Sequence, residues 1–444
     1  MRRRRPSDAI RERKRSRKKA IAGRKVRLAI AANRRAGERS SSRPWPMATH
    51  IRRLLTANGA QPAPAPTSAI TVEIPNPFSC VERPDDVIQA VRTVAVAVES
   101  GSLKSIVFDH SKMVDYDLAA EAVLDVVARE VVRERRRRYR RSVELRGMFP
   151  SDANASRFIR GIGISRHLQV EDVQLSREER AKLLVFEKHR RSGPPPGGIP
   201  YSTYKGQVVQ EFVDHINQCL GTVKLALTAV GRLRLCEYTG EVIDNVDQHA
   251  GSNHWFVAGY LDTSLSPPMC EVAIFNFGRT FAESFQSLPP DSFAWSQVQP
   301  YLDAHRNRGW FTPGSWTEDD LLTLVSLQGG ISSKSIGQDD IRGQGSTDLI
   351  RYFQDVHAAC DDQALSPQMA IVSGATHIIF DGTYRLGMDT NGRWTIAFNS
   401  ENLLSKPPDR KFVRHMNGVF FPGTIVSIRF AVQQTGAAPT AAKS

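Results

Sequence analysis

The sequence has few of the features that mark an exported, zinc-stabilised or membrane-spanning protein. Its 444 residues include only five cysteines, which lie far apart and form no CxxC pair, so we expect neither a disulfide framework nor structural zinc. No apolar run reaches the roughly 18 residues that a membrane helix needs. The basic N-terminus also lacks the apolar segment of a secretory signal. These absences predict a cytoplasmic protein without a membrane span.

Positive charge is concentrated at the N-terminus. Residues 1–53 contain 20 Lys or Arg against three acidic residues, whereas the whole chain carries a formal charge of +14. Such a block repels itself and buries little apolar surface. We therefore predict a basic, largely disordered tail that ends with a Pro/Ala linker at residue 68. Residues 1–53 suit non-specific binding of nucleic acid, or an anionic membrane surface. A solvated extension, or translation that starts at Met47, is the alternative.

Residues 69–191 alternate strand and helix patterns, which predicts an α/β sandwich. An apolar strand ends at Asp109, and a long helix opens near Asp117. The run SIVFDHSKMVDYDLAAEAVLDVV resembles the STAS domains of anti-sigma-factor antagonists, which implies a STAS-like domain. In phosphorylated STAS proteins an Asp-Ser-Ser-Gly turn places the acceptor serine two residues after the aspartate. Counted from Asp117, that position in this chain is Ala119. We therefore expect a scaffold or partner-binding role for this domain and no phosphorylation switch.

A Pro/Gly-rich linker at residues 192–203 separates this region from a second predicted domain, residues 204–432. Its first segment is a long helical pattern containing GEVIDNVDQHA, in which Glu241, Asn245 and His249 recur every four residues and share one face. An Asn oxygen suits Mg²⁺, and a Glu can orient or deprotonate a water. Taken alone, an ExxxN pair is also common on solvated helix faces.

Three further segments follow in order. The first, EVAIFNFGRTF, is a buried-type strand that runs into a turn at Gly278. The second, IRGQGSTDLIRYF, places Gly343 and Gly345 before a helix that Ser346 or Thr347 could cap. The third, GTIVSIRF, is a strand that directs Thr424 to the same face as the apolar residues that alternate with it.

Together with the ExxxN helix, these segments resemble the gyrase, Hsp90, histidine-kinase and MutL (GHKL) ATPases. The resemblance implies an α/β sandwich, in which helices cover a mixed sheet, and bound ATP with Mg²⁺. In the family, an aspartate of the first glycine box and a threonine of the late strand recognise adenine. Asn276 and Thr424 stand in those two positions, and Gly278 is the glycine of the first box.

The second glycine box is the expected phosphate site. Glycines before a helix let the backbone approach phosphates, and the helix N-terminus attracts negative charge. We therefore expect Gly343, Gly345 and Ser346 to hold the phosphates. Lys334 lies in the small-residue stretch between the boxes, which has the composition of a lid, and could reach a terminal phosphate. The alternative is an exposed loop lysine.

Two departures from the family pattern bear on activity. Asn276 replaces the charged acceptor for the adenine amino group, which costs about 1–2 kcal/mol of binding and relaxes the preference for adenine over guanine. Thr280 replaces the second glycine of the first box. We predict a Mg-dependent, ATP-binding regulatory switch with weak or slow hydrolysis, in which Asn245 binds the metal and Glu241 is the catalytic residue.

The alternative is a degenerate pseudo-ATPase that acts as a protein-interaction module, with the basic tail on nucleic acid. Histidine kinase activity is not expected, because nothing upstream resembles a helix with a phosphoacceptor histidine beside an acidic residue and a following proline. His215 lies at about the right distance and is interpreted as a helix-surface residue. The sequence identifies no protein partner, and a homodimer remains open. Residues 433–444 are expected to form a disordered C-terminal tail.

Overall fold

Two β-sheets organise the part of the chain that the computed structural model describes, residues 49–56, 68–163, 174–190, 198–249, 254–333, 345–359, 366–389 and 392–432. The elements up to the predicted ExxxN helix are, in chain order, α1 (Thr49–Thr56), β1 (Ala69–Glu73), α2 (Pro84–Val96), β2 (Ser105–Asp109), α3 (Leu118–Tyr139), β3 (Glu144–Met148), α4 (Ala153–Gly161), α5 (Arg177–Ala181), β4 (Leu183–Arg190), α6 (Tyr201–Gly221) and α7 (Ala229–His249).

The remaining elements are β5 (His254–Asp262), β6 (Met269–Phe277), α8 (Phe281–Gln286), α9 (Phe293–Asn307), α10 (Glu318–Val325), α11 (Gly345–Ala359), β7 (Gln368–Gly374), β8 (Thr376–Phe380), β9 (Gly387–Met388), β10 (Trp394–Thr395), β11 (Val413–His415) and β12 (Phe421–Ala431). Of the tail and linker predicted over residues 1–68, residues 1–48 and 57–67 lie outside the described residues, as does the predicted C-terminal tail, residues 433–444. No helix in the described ranges combines the length and apolar character that a bilayer crossing requires.

The N-terminal layer is a parallel sheet in the order β1-β2-β3 with helices, which confirms the predicted α/β arrangement of this region. Helix α2 packs on β1, and α3 packs against α2. The Asp117 carboxylate caps α3 by accepting the backbone N–H of Ala120 at 2.8 Å. Ala119, at the position of the family's acceptor serine, is fully buried.

The larger sheet has seven strands in the order β11-β8-β7-β12-β6-β5-β4. Every pairing in it is antiparallel, so the expectation of a mixed sheet is wrong. The short connections between β5 and β6 and between β7 and β8 explain much of this, since antiparallel neighbours need only a hairpin. Strand β4, from the segment expected in the first domain, is the edge strand of this sheet.

Helices cover one face of the seven-stranded sheet. Helix α6 packs on β4 and β5, α7 on β5 and β6, α11 against α7, and α10 on β8 and β11. Their apolar side chains share one core with alternate residues of the central strands, such as Val272 and Ile274 of β6 and Val426 and Ile428 of β12. We call the face that α6, α7, α10 and α11 cover the helix-covered face of the sheet.

The opposite face is covered by α3, which packs on β5, β6 and β12. Polar contacts join the two layers: the backbone N–H of Leu118 donates to Glu271 Oε2 at 2.6 Å, and Arg157 pairs with Asp262 at 2.7 Å. The chain from Ala48 onwards accordingly forms one compact unit. The N-terminal layer is thus docked on the sheet.

Two helical expectations need correction. Residues 49–56 fall in the predicted disordered tail, yet they form α1. The helical pattern expected to run from Tyr204 past Leu235 is interrupted between α6 and α7, where Thr228 ends the connection. Its Oγ1 accepts the backbone N–H of Gly231 at 3.0 Å, a side-chain cap that starts a new helix.

Burial of Glu271 beneath α3 raises the pKa of its carboxyl to about 7. The nearby Arg429 opposes this increase and the Asp117 carboxylate adds to it. In the unfolded chain a Glu titrates near pH 4.3. Between about pH 4.3 and about pH 7, the folded protein therefore binds more protons than the unfolded chain. The free energy of unfolding decreases as the pH rises through this range.

We predict that Glu271→Gln flattens this decrease. The glutamine oxygen can still accept from Leu118, but the amide does not ionise. Between pH 5 and pH 8, the free energy of unfolding of the variant should therefore rise by on the order of 2 kcal/mol relative to that of wild type. Urea unfolding at several pH values measures the effect. Glu99→Gln, at an exposed position, is the control and should follow wild type. Parallel curves for Glu271→Gln and wild type would contradict the assignment.

Candidate functional site

Strand register places Asn276 and Thr424 directly opposite each other. They are cross-strand partners in the β6–β12 pair, and Ser373 of β7 is the partner of Thr424 on its other side. All three are in phase with the residues of the helix-covered face, such as Ile274 and Val426. The two residues expected to recognise the base therefore lie together, with a serine that the sequence interpretation missed.

Hydrogen bonds join these residues into what we call the polar cluster (Asn276, Ser373 and Thr424). The backbone N–H of Thr424 donates to Asn276 Oδ1 at 2.7 Å, and the hydroxyls of Ser373 and Thr424 are 3.1 Å apart. Ser373 Oγ donates to the carbonyl of Gly423 at 3.2 Å. The polar cluster is buried, with Asn276 5%, Ser373 1% and Thr424 8% exposed, so each of these hydrogen bonds is largely shielded from water.

The orientation of the Asn276 amide follows from its partner. A backbone N–H can only donate, so the atom that faces Thr424 must be the amide oxygen. The amide NH₂ group then points away from this bond, and the oxygen keeps a second lone pair. Asn276 can therefore offer a donor to a ligand, as well as the remaining acceptor site.

Gly423 is the residue that allows this close approach. Its φ of +144° lies in a region that favours glycine. A Cβ at this position would lie 2.0 Å from the backbone oxygen of Asn276 and 2.9 Å from its Oδ1. A side chain at residue 423 would therefore force β12 and Asn276 apart.

The turn after Asn276 shows why Thr280 stands where the family pattern has glycine. Gly278 is held by its N–H, which donates to the carbonyl of Pro422 at 2.9 Å. Thr280 then begins α8 as its N-cap: its Oγ1 accepts the N–H of Glu283 at 3.1 Å, and the Glu283 carboxylate accepts the N–H of Thr280 at 2.9 Å. This capping box uses a side chain that glycine lacks.

Helices α7 and α11 lie side by side on the same face of the sheet. Glu241 and Asn245 belong to α7, as predicted, and Ile243 between them is fully buried in the core. Helix α11 begins at Gly345, so Ser346 lies in its first turn. Arg234 of α7 pairs with Asp355 of α11 at 3.2 Å, which ties the two helices together at the surface.

The structure thus places α7 and α11 together on one face of the sheet, and it joins the Asn276 side chain to the Thr424 backbone N–H in adjacent strands. The side chains of Glu241 and Asn245, and residues Lys334 and Gly343, lie outside the described part of the structure. Ser373 carries a weak sequence signal, since it is a small polar residue near the end of an apolar strand.

His215 does not lie on the helix surface as expected. It is buried, stacked on Phe186 at 5.6 Å, and its ring occupies the space that Gly259 leaves by lacking a Cβ. Its Nε2 lies 3.5 Å from Cys219 Sγ.

Hydrogen bonds from Cys270 and His215 lower the pKa of the Cys219 thiol. Sequence separation gave no sign that Cys219 and Cys270 would meet in the core.

In the described ranges, no three His, Cys, Asp or Glu side chains form a group that could hold a metal ion. Comparison of the chain with protein-family models, curated proteins and solved structures finds no match in any of the three.

We predict that Gly423→Ala lowers the free energy of unfolding by about 2 kcal/mol, because a side chain is strained at this φ and collides with Asn276. Gly206→Ala in α6 is the control: a Cβ there meets nothing within 4 Å, and alanine should stabilise the helix by up to about 1 kcal/mol. Chemical denaturation measures both. A Gly423→Ala variant as stable as wild type would contradict the close approach.

Proposed function

We propose that the chain is a Mg-dependent ATP-binding protein of the GHKL type, a nucleotide-controlled regulatory switch with weak or slow ATP hydrolysis. The observation that supports this most is the juxtaposition of Asn276 and Thr424 on the helix-covered face of the sheet. In the family that the sequence resembles, the residues at these two positions recognise the base.

The chemistry of the polar cluster fits an adenine. Its hydroxyl and amide groups lie among apolar residues of the central strands, such as Ile274 and Val426, which suits a flat base with polar edges. The second lone pair of Asn276 Oδ1 can accept from an exocyclic amino group. Its NH₂ group can donate to a ring nitrogen or to a carbonyl, so the site also admits guanine.

The remaining roles rest on the resemblance and on the placement of the helices. Asn245 would give an oxygen to Mg²⁺, and Glu241, one turn earlier on α7, would orient or deprotonate the attacking water. Gly343, Gly345 and Ser346 would hold the phosphates at the start of α11, with Lys334 on the terminal phosphate. Bound Mg²⁺ supplies the charge that offsets the triphosphate.

A specific observation favours a second candidate, a pseudo-ATPase that acts as an interaction module. Hydrogen bonds within the polar cluster already engage Asn276 Oδ1 and the hydroxyls of Ser373 and Thr424. These atoms need no nucleotide to avoid being buried without a partner. The N-terminal layer and the basic segment would then carry the function.

Titration of the full chain with ATP separates the two candidates. We expect saturable binding that requires Mg²⁺ and that Asn245→Ala abolishes, because the metal loses its protein oxygen. Isothermal titration calorimetry with and without Mg²⁺ measures this. Asn307→Ala, at an exposed position at the end of α9, is the control and should bind as wild type. An absence of binding at millimolar ATP would leave only the interaction module.

Hydrolysis tests Glu241 separately. We expect slow, Mg-dependent phosphate release that falls at least about 100-fold in Glu241→Ala, the usual size of a general-base contribution, while ATP binding persists. A phosphate-release assay under single-turnover conditions measures the rate. An unchanged rate in Glu241→Ala would remove Glu241 from the catalytic role without affecting the binding proposal.

Base recognition tests Asn276. We expect Asn276→Asp to raise affinity for ATP about tenfold, since a carboxylate still accepts from Thr424 and adds a charge-assisted acceptor for the adenine amino group. The same change should weaken the binding of GTP, because guanine has a carbonyl oxygen where adenine has its amino group. Competition binding with the two nucleotides measures the ratio, and Asn307→Asp is the control. Strict adenine preference in wild type, unchanged by Asn276→Asp, would contradict this assignment.

A further inference from the structure

Helix α1 is docked on the body of the protein. Three apolar residues on it, Ile51, Leu54 and Leu55, are buried with at most 4% exposure. The helix contacts α2, α3 and β12, so it spans the N-terminal layer and the central strand of the seven-stranded sheet. A helix of eight residues is not stable alone in water, so these contacts must hold it in place.

Arg53 extends from α1 to the turn that follows β6. Its guanidinium donates to both carboxylate oxygens of Glu283, at 2.5 and 2.7 Å, and to the backbone carbonyl of Gly278. It also lies over the ring of Phe420, 5.9 Å from its centroid. The pair is partly shielded, with side-chain exposures of 27% for Arg53 and 34% for Glu283. Nη2 contacts the Glu283 carboxylate while Nη1 contacts the Gly278 carbonyl, so the planar guanidinium restrains both groups of the turn at once.

The contacts of Arg53 continue into the polar cluster. Glu283 forms the capping box with Thr280, which fixes the start of α8. The first residue of that helix, Phe281, donates its backbone N–H to Ser373 Oγ at 3.1 Å. Ser373 Oγ in turn lies 3.1 Å from Thr424 Oγ1. Each group in this series therefore restrains the next, from α1 to the centre of the sheet.

We infer that Arg53 is a positioning residue of the proposed nucleotide site, and that the docking of α1 regulates nucleotide affinity by fixing the turn between β6 and α8. The inference rests on the proposed function. It assigns a role to a helix that precedes the predicted linker and lies far from the site in sequence. Displacement of α1 would loosen the start of α8 and, through Phe281 and Ser373, the polar cluster.

The competing explanation is that Arg53 only attaches α1 and adds stability. The two differ in what they predict for the turn and for the ligand. A stability role predicts a lower melting temperature and unchanged affinity in the variant that still folds. A positioning role predicts faster amide exchange in residues 278–283 and weaker nucleotide binding at a temperature where the variant is folded.

The test compares Arg53→Ala and Arg53→Lys with Arg52→Ala in the full chain. Arg52 is its exposed neighbour on α1 and serves as the matched control. Hydrogen–deuterium exchange of the nucleotide-free proteins reports on the turn, and calorimetry with Mg·ATP reports on affinity. We expect faster exchange in residues 278–283 and about tenfold weaker binding for Arg53→Ala. Arg53→Lys should be intermediate, since lysine keeps the charge but has a single nitrogen and cannot hold Glu283 and the Gly278 carbonyl with two. Arg52→Ala should match wild type.

A second variant guards against a general loss of folding. Glu283→Gln removes the charged partner from the other side and keeps an oxygen that can accept from Thr280. It should weaken binding in the same direction as Arg53→Ala, and the double variant should be no worse than Arg53→Ala, because that variant has already lost the pair with Glu283. Additive effects would overturn the inference.

The two proposals fail differently. If wild type binds Mg·ATP and Arg53→Ala binds it equally well, the positioning role is overturned and the proposed function stands. If wild type itself does not bind, the proposed function fails and this inference fails with it. Unchanged exchange in residues 278–283 of Arg53→Ala overturns the inference whatever the affinity.

Discussion

The hydrogen bond from the backbone N–H of Thr424 to the side-chain oxygen of Asn276 determines how the central strands meet. β12 lies between β6 and β7, so this bond, with the hydroxyl contact to Ser373, joins three strands at one place. It requires a backbone approach that only Gly423 permits. The turn through Gly278 and the start of α8 follow directly from that end of β6. The proposed base site is therefore part of the sheet's construction, and its polar groups serve both purposes.

The seven-stranded sheet is covered on both faces, and this explains the composition of β6. Its residues are buried almost throughout, with apolar side chains towards the helices on one side and towards α3 on the other. Glu271 is the exception on the α3 side, where it accepts the first N–H of that helix and has a raised pKa. Burial of a carboxyl is unfavourable at neutral pH, but this carboxyl ties the first residue of α3 to the sheet. The N-terminal layer thus acts as a cover for the seven-stranded sheet.

Local patterns predicted the elements whose character is set by their own residues. Strands β2, β6 and β12 are apolar runs, and α3 follows its Asp117 cap. What failed depended on distant partners. The half-exposed strand β4 gives no sign that it pairs with β5. Helix α1 lies at the end of a basic segment, and the charge of that segment predicted a tail although three apolar residues recur there at helical spacing. His215 resembles a surface residue until Gly259 is placed beside it. The same limit applies to the site, because the sequence does not show the register in which β12 pairs with β6 and β7. Asn276 and Thr424 were therefore paired by resemblance to a family, and Ser373 was missed.

The most direct test of the account is a crystal structure of the full chain grown with Mg²⁺ and a non-hydrolysable ATP analogue. The account predicts that the base contacts Asn276 and Thr424, that the phosphates lie at the start of α11 near Gly345, and that the metal is bound by Asn245. A base bound elsewhere on the protein, or an analogue absent from crystals grown at millimolar concentration while the polar cluster keeps its internal hydrogen bonds, would contradict it.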